Sequence, residues 1–370
     1  MKIAVDLRMS GKSGIGAFLD NILPTLKAGA EVVQIKPGIK PFSLKEMFFF
    51  PREELKKINE CDAYFSPYCN VPGRLFSRGI KVPIFTTIHD VIFLDLPLAG
   101  KLGTLARKAI YQRAINKSRE IFTVSEFSKS RIQARLKCKK PITVVYSGVP
   151  LYNEEAAGRL DSARKTDTII FVGNIKAHKG LKTLIPAFKK AREFLAEQNG
   201  SQAQDAAGNR MQAKDAPRPA PVAPLPRLLI VGSKENFRTS DTELESLLAG
   251  AENDGVQFTG FVPDEQLKAL IEEARLLVQP SLYEGFGVPP LQALYSGTRA
   301  VISDIPVFKE IYAKLPVTFF KAGDAEDLAR KIAAAYSDKS PFPPVERVYS
   351  YRFSAQAVLK RIADSVKMEK

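Results

Sequence analysis

Between Pro280 and Gly297 the chain reads PSLYEGFGVPPLQALYSG, and no other stretch limits the possible folds so tightly. The run Ala274–Val278 before it is mostly apolar and ends at Gln279-Pro280, the pattern of a strand buried on both faces of a parallel sheet. Gly285 and Gly287 bracket Phe286. Val288-Pro289-Pro290 then suits the opening of a helix, and Gly297 suits its end. Strand, glycine loop and helix start together make a cradle for an anion, because glycine admits close backbone approach and the first N–H groups of a helix favour negative charge. Glu284 at the mouth of that cradle is wrong for a bare phosphate. It suits a ligand that carries hydroxyl groups as well as a phosphate.

The rest of the chain repeats the same alternation. Residues 2–6 read as a strand, followed by Gly14 and Gly16 in the approach to a helix whose apolar positions are Phe18, Leu19, Ile22, Leu23 and Leu26. Neither familiar phosphate motif is complete here. A P-loop needs glycine where Asp6 stands, and the dinucleotide fingerprint needs one where Leu19 stands. Further strands are expected at 31–35, 63–65, 81–88, 121–124 and 141–146. Helices are expected at 52–59, 100–118 and 126–137, with Ser125 as an N-cap. In helix 100–118 the positions Leu102, Leu105, Ala109, Ile110 and Ala114 form the expected inward side. Phe48–Phe50 also reads as core. A polar, linker-like segment spans 148–166. The rhythm restarts at 168–172 with the loop Gly173–Gly180 and a helix at 181–197. Residues 198–226 end in PRPAPVAPLP and read as a disordered insertion. Strands at 228–231, 256–258, 300–303 and 317–320 alternate with helices to 337, and a last helix is expected at 353–367. Repeated βα units imply two doubly wound parallel-sheet domains of Rossmann-like type, with ligand loops at the strand C-termini facing each other across a cleft.

Composition removes several function classes. No apolar run is long enough to span a bilayer. MKIAVDLR reads as a strand with charged flanks, not as a leader. Cys61, Cys69 and Cys138 have spacings that suit neither a disulfide framework nor a metal site, so a cytoplasmic address is expected. Two histidines leave little room for histidine-based chemistry, and no Asp-x-Asp motif occurs. The formal net charge is +15, and residues 101–140 hold twelve Lys/Arg against Glu120 and Glu126. That segment is read either as a solvated helical face or as a face for an anionic membrane surface or acceptor. Nucleic acid is not expected as a partner, since no recognition motif is present and aromatics are sparse there.

Several stretches, in order and correctly spaced, resemble the retaining glycosyltransferase family 4, whose architecture is the two-domain GT-B arrangement. They are Pro280–Leu294, Ser13–Gly16, Ile88–Asp90, Val124–Ser128, Val144–Val149, Phe171–Gly180 and Phe258–Val262. The resemblance covers residues 1 to about 365 apart from 198–226. It implies an acceptor-side domain over 1–160, a nucleotide-sugar domain over 161–345 and a helix over 346–370 that packs back on the first domain.

By that resemblance the chain transfers a hexose from a nucleotide-sugar, with retained configuration and without a metal or other cofactor. Glu284, His89 and Lys179 take the catalytic positions. Glu284 is expected on the donor hydroxyls, Lys179 on the diphosphate and His89 near the reacting sugar. Donor binding is assigned to Gly14, Gly16, Gly173, Asn174, Lys176, Phe261, Val262, Gly285, Phe286, Gly287, Val288 and Gln292. Two positions depart from the family. Gln292 stands in place of a glutamate, and Asn174 stands where many members carry a phosphate arginine, for which Lys176 or His178 is a local substitute. Similarity around Phe42–Pro72 and Thr86–Pro97 to mannosyl- and rhamnosyltransferases favours a GDP-mannose-like donor. The acceptor is expected to be a surface glycan or a lipid-linked one, with the protein peripheral on the inner face of the cell membrane. The competing reading is a non-catalytic sugar-nucleotide-binding or scaffold subunit.

Overall fold

Lys2–Asp6 carries five residues of strand-forming pattern with almost no exposed surface, and such a strand needs neighbours on both edges. It has them. In this computed structural model, β1 (Lys2–Asp6) pairs in parallel with β2 (Glu31–Ile35) on one side and β3 (Ala63–Ser66) on the other. The structure describes the chain except residues 12, 76–78, 97, 99, 150–164, 211–223, 233–241 and 369–370. The chain forms two compact units. The first comprises Met1–Leu151, Glu284–Phe286 and Arg347–Lys370, and the second comprises Tyr152–Tyr283 and Gly287–Glu346.

In the first unit the order along the chain is β1, α1 (Ser13–Gly29), β2, α2 (Leu44–Phe48), α3 (Arg52–Asn59), β3, β4 (Ile84–Thr87), α4 (Ile92–Asp95), α5 (Lys101–Lys117), β5 (Glu120–Thr123), α6 (Glu126–Arg135) and β6 (Ile142–Val144). All neighbours are parallel, in the order β2-β1-β3-β4-β5-β6. The direction of winding therefore reverses between β1 and β3. One core patch joins Leu55 and Ile58 of α3 to Ala114 of α5 and to Ala4, Tyr64 and Ile84 of the sheet. A second joins Tyr111 and Ile115 of α5 to Ile121 and Ile132.

The second unit runs β7 (Thr168–Val172), α7 (Leu181–Arg210), β8 (Arg227–Val231), α8 (Thr242–Ala251), β9 (Val256–Gly260), α9 (Asp264–Glu273), β10 (Leu276–Gln279), α10 (Val288–Tyr295), β11 (Arg299–Ser303), α11 (Pro306–Tyr312), β12 (Val317–Phe320) and α12 (Ala325–Ser337). Its sheet is again parallel, in the order β12-β11-β10-β7-β8-β9, so its winding reverses between β7 and β10. Leu184, Ile185 and Phe188 of α7 meet Leu328 and Ile332 of α12 over Phe171, Leu276 and Val278. The last helix, α13 (Tyr351–Lys367), belongs to the first unit and lies on α1, where Leu359 sits over Gly29. Arg361 donates to both Glu120 oxygens at 2.9 and 3.1 Å, and Ser354 Oγ donates to the Tyr146 carbonyl at 2.5 Å.

The structure departs from the sequence reading in four places. Helix α7 continues through 198–210, inside the segment expected to be disordered, because the Ala- and Gln-rich run that opens it sustains a helix; the Pro-rich part, 211–223, lies outside the described residues. Gly14 and Gly16 stand inside the first turn of α1 and not in a loop before it. Leu102 and Leu105 are 85% and 65% exposed; of the expected stripe only Ala114 is buried, and it shares the buried side of α5 with Tyr111 and Ile115. Of Phe48–Phe50, only Phe50 is buried. The short α2 turns Glu46 inward instead, where it meets Arg8. The polar linker expected at 148–166 falls mostly on residues that are not described. No helix among the described residues is long and apolar enough to cross a membrane. The three cysteines are unbridged.

Candidate functional site

In a doubly wound sheet, ligands bind past the C-terminal ends of the strands where the winding reverses. In the second unit those strands are β7 and β10, and the loops that follow them are Gly173–Gly180 and Pro280–Gly287. These two loops carry half of the expected donor-binding residues, together with Lys179 and Glu284.

The two loops pack so tightly at Gly180 that no side chain fits there. A Cβ on Gly180 would run into the Pro280 carbonyl, and Gly180 has φ +76, so only glycine suits the position. The Leu282 N–H donates to the His178 carbonyl at 2.8 Å, which ties the loops together one step further on. A Cβ on Gly232, at the end of β8, would strike the Gly173 carbonyl, and Gly232 N–H donates to the Gly260 carbonyl at the end of β9. Gly173, Gly232 and Gly260 thus line the edge of three adjacent strands, which brings Phe261 and Val262 to the same edge. Phe261 is 82% exposed there while Val262 is buried.

Lys179 is half-buried at the end of a short 3-10 turn, Ala177–Lys179, and its Cδ lies near Gly173. Asn174 and Lys176 are exposed on the same loop, and His178 is half-buried. On the other loop, Gly287 has φ +89 and caps α10, and a Cβ there would meet the Phe308 ring. Tyr312 Oη donates to the Gly287 carbonyl, so the start of α10 is held by α11. Val288 is the first residue of α10, and Gln292 is half-buried one turn in. Proline at Pro289 and Pro290 removes two N–H groups from that helix start. The anion-binding donors there are therefore fewer than a helix of another sequence would offer.

Glu284, Gly285 and Phe286 group with the first unit. Gly285 has its carbonyl accepting from Ser125 Oγ at 2.7 Å and from Ser128 Oγ at 3.2 Å. Ser125 does cap α6, accepting from Ser128 N–H at 3.0 Å, and its hydroxyl proton serves Gly285. A Cβ on Gly285 would come within 2.8 Å of the His89 carbonyl. Phe286 is buried against Tyr146 and Tyr349, with ring centroids at 6.5 and 5.5 Å. Glu284 itself is half-buried.

His89 follows β4. Its Nε2–H donates to the Pro67 carbonyl at 2.9 Å, and its ring meets the edge of Phe18 at 5.0 Å between centroids. Burial pushes the imidazole down to about 4, with the Pro67 bond opposing the shift. Near neutral pH it is therefore uncharged, with Nδ1 as its acceptor. This suits ligand contact and not service as a cation. Gly16 cannot carry a side chain because a Cβ would strike the Met9 carbonyl, whereas around Gly14 no atom lies within 4 Å. Gly14 thus borders open space at the start of α1.

One cluster escaped the sequence reading. Arg8 is buried with Asp6, Glu46, Tyr64, Tyr68 and Asn70. Its Nε donates to Asp6 at 2.9 Å, and its Nη2 donates to Glu46 at 2.7 Å and to Tyr68 Oη at 2.6 Å. The Asp6-x-Arg8 pair at the end of a buried strand is the signal that could have revealed it. The network fixes the loop after β1 that leads to Gly14. Asp90 accepts from Ile92 N–H at 3.0 Å at the start of α4.

Comparison with known proteins adds to this geometry. A model described as glycosyltransferase family 4 matches residues 26–152, and one described as glycosyl transferases group 1 matches 218–351. The chain is 40% identical over 85 residues to the O-antigen chain mannosyltransferase RfbU of Salmonella typhimurium, covering 23% of each protein. It is 34% identical over 109 residues to a serotype-specific mannosyltransferase, WbdA, of Escherichia coli, covering 28% of this chain and 13% of that one. The matched parts thus span well under a quarter of the WbdA relative and about a quarter of RfbU. An uncharacterized glycosyltransferase of Methanocaldococcus jannaschii is 26% identical over 76% of this chain and 69% of its own length. Among solved structures, HepE of Anabaena in complex with UDP-glucose superposes with a TM-score of 0.62 at 15% identity over the whole of both chains. The sucrose-phosphate synthase of Thermosynechococcus elongatus superposes with 0.59 at 15% identity over 100% of this chain and 97% of that one. At such identities the likeness is one of fold, the GT-B fold.

Proposed function

This chain belongs with the family 4-like glycosyltransferases, and from that premise we propose that it moves a hexose from a nucleotide-sugar to a surface glycan or a lipid-linked acceptor, with retention. A GDP-mannose-like donor is favoured, supported by the mannosyltransferases among its relatives and by the resemblance around Phe42–Pro72. The observation that carries the reading is the convergence of the Gly173–Gly180 and Pro280–Gly287 loops at the winding reversal of the second sheet, packed so that only glycine fits at Gly180.

On this reading the diphosphate lies along backbone N–H groups and Lys179, which offsets the charge that develops on the leaving group. Glu284 accepts from the donor-sugar hydroxyls. Gln292 bonds a ribose hydroxyl through its amide, and Phe261 and Val262 flank the base. Neutral His89 offers an acceptor to the reacting sugar. No step needs a metal, and the proposed place of work is the inner membrane surface facing the cytoplasm.

The test is a screen of GDP-, UDP- and dTDP-sugars with glycan and lipid-linked acceptors, with chelator present throughout. Turnover from one donor is expected, with Glu284→Ala and Lys179→Ala each lowering kcat by about a hundredfold or more. No turnover from any donor would count against the enzyme reading. The second reading, a subunit that binds sugar nucleotides without turning them over, draws on Asn174 and Gln292. Calorimetric binding of a nucleotide without turnover would favour it.

A further inference from the structure

Helix α5 presents an apolar stripe to solvent. Its buried residues, Tyr111, Ala114 and Ile115, define the side that faces the sheet. Leu102, Leu105, Ala106 and Ala109 recur at i, i+3, i+4 and i+7 on the opposite side, and all four are exposed. Leu98, just before the helix, is also exposed. Lys101 and Lys108 flank Leu105 along one border of the stripe and are exposed too. No Asp or Glu occurs between Leu96 and Arg119. An apolar stripe edged by lysines, on a helix of low acidity, is the composition of a segment that lies in a lipid–water interface.

The basic segment is more selective than its charge suggests. Arg131 and Arg135 both donate to Asp95, at 2.6–2.8 Å, and Lys129 pairs with Glu126 at 3.3 Å. Arg107 lies over the Phe93 ring at 3.9 Å. These charges already have partners within the unit, which leaves the border of the α5 stripe as the part best placed to meet an anionic partner.

A groove adjoins this stripe. Arg113 projects from the stripe side of α5, where it donates to the Val71 carbonyl and lies against Gly73. Gly73 in turn packs on the Met47 carbonyl, and the next residues on both strands of chain, Phe48 and Phe49 with Arg74 and Leu75, line a groove of about 650 Å³. Phe48, Phe49 and Leu75 are exposed, and Arg52, Lys56, Arg74 and Lys81 line the same groove against a single acid, Glu60.

We infer that this face of the first unit, the α5 stripe together with the adjoining groove, docks on an anionic phospholipid bilayer. The leucines enter the acyl boundary, the lysines remain at headgroup level, and the arginines of the groove receive headgroup phosphate. Charge complementarity selects the bilayer over a protein partner: the patch combines large exposed apolar side chains with cations and almost no acid. The inference deepens the acceptor side of the proposed function, since a lipid-linked acceptor is met at that surface. Its test needs no sugar donor, so the two readings fail separately.

The experiment is co-sedimentation of the full chain with phosphatidylcholine vesicles and with vesicles containing phosphatidylglycerol. Binding to the anionic vesicles alone is expected, weakening about tenfold or more between 0.1 and 0.5 M salt. Leu102→Glu/Leu105→Glu changes only exposed positions and is expected to lower the partition at least about tenfold, since each inserted leucine is worth roughly that factor. Lys101→Glu/Lys108→Glu is expected to weaken binding strongly. Lys139→Glu/Lys140→Glu makes the same charge change at exposed residues before β6 and is expected to stay within about threefold of the unchanged chain. Circular dichroism and turnover on a soluble acceptor are recorded for every variant. Equal partition of the leucine variant and the unchanged chain would overturn the inference. So would equal loss in the two lysine pairs, or binding to both kinds of vesicle or to neither.

Discussion

At the scale of single residues, the glycines separate into two kinds that sequence alone does not distinguish. Gly16 and Gly180 are required by close backbone packing, whereas Gly14 borders open space. Gly16→Ala is therefore expected to lower the melting temperature. Gly14→Ala, inside the first turn of α1, is expected to be neutral or to stabilise by up to about 1 kcal/mol. If Gly14→Ala keeps its melting temperature yet loses turnover, the open space beside it is where a ligand approaches. His89 supplies a second prediction. Its folded pKa is lowered to about 4, below the unfolded value of about 6.5, so the unfolded chain binds the extra proton between those values. The stability it contributes is complete above about pH 6.5 and is lost as pH falls towards 4, on the order of 3 kcal/mol in all. Urea melts of His89→Asn across that range should show a flatter pH dependence than the unchanged chain.

At the scale of elements, periodicity named the helices but not always their faces. In α5 two apolar stripes compete along one helix. The pattern favoured the one containing Leu102 and Leu105, but the sheet took the one containing Tyr111 and Ile115. Tyr111 and Ile115, in the C-terminal half of the helix, pack with Ile88 and Ile121 at β4 and β5, and a helix cannot turn two opposite stripes to one sheet. The aromatic run 48–50 divided for a similar reason, because burying Glu46 against Arg8 turns Phe48 and Phe49 outward. Helix α13 supplies the prediction at this scale. Glu120 is 3% exposed and is held by Arg361 and Thr143, whereas the Arg361 side chain is 41% exposed. Losing the arginine strands a buried carboxylate, while losing the carboxylate leaves a cation that water can reach. Arg361→Ala is thus expected to cost about 2–3 kcal/mol and Glu120→Gln about 1, read from urea midpoints at constant slope.

At the scale of the whole molecule, two units with separate cores share one chain, and the second carries the loops at its winding reversal. A nucleotide that binds there stabilises only the folded state, by about 2.7 kcal/mol at a hundredfold excess over Kd. Calorimetry with and without GDP and UDP should show one of them raising the transition of the second unit. A rise for both nucleotides alike would point to recognition of the diphosphate without the base.

The stretch from Pro280 to Gly297 shows where sequence suffices. Strand, glycine and helix start are local properties of neighbouring residues, set by backbone freedom, by proline and by apolar spacing, and α10 begins at Val288 as those rules require. The βα alternation likewise follows from periods of two and 3.6 repeated along the chain. Three other matters were decided only by the tertiary structure, because each depends on groups far apart in sequence. The sheet order places the loop after β7 beside the loop after β10, more than one hundred residues on. The buried Arg8 is balanced by Glu46 and Tyr68, which no local pattern links to it. The outward turn of Leu102 and Leu105 follows from which side of α5 the sheet had room to cover.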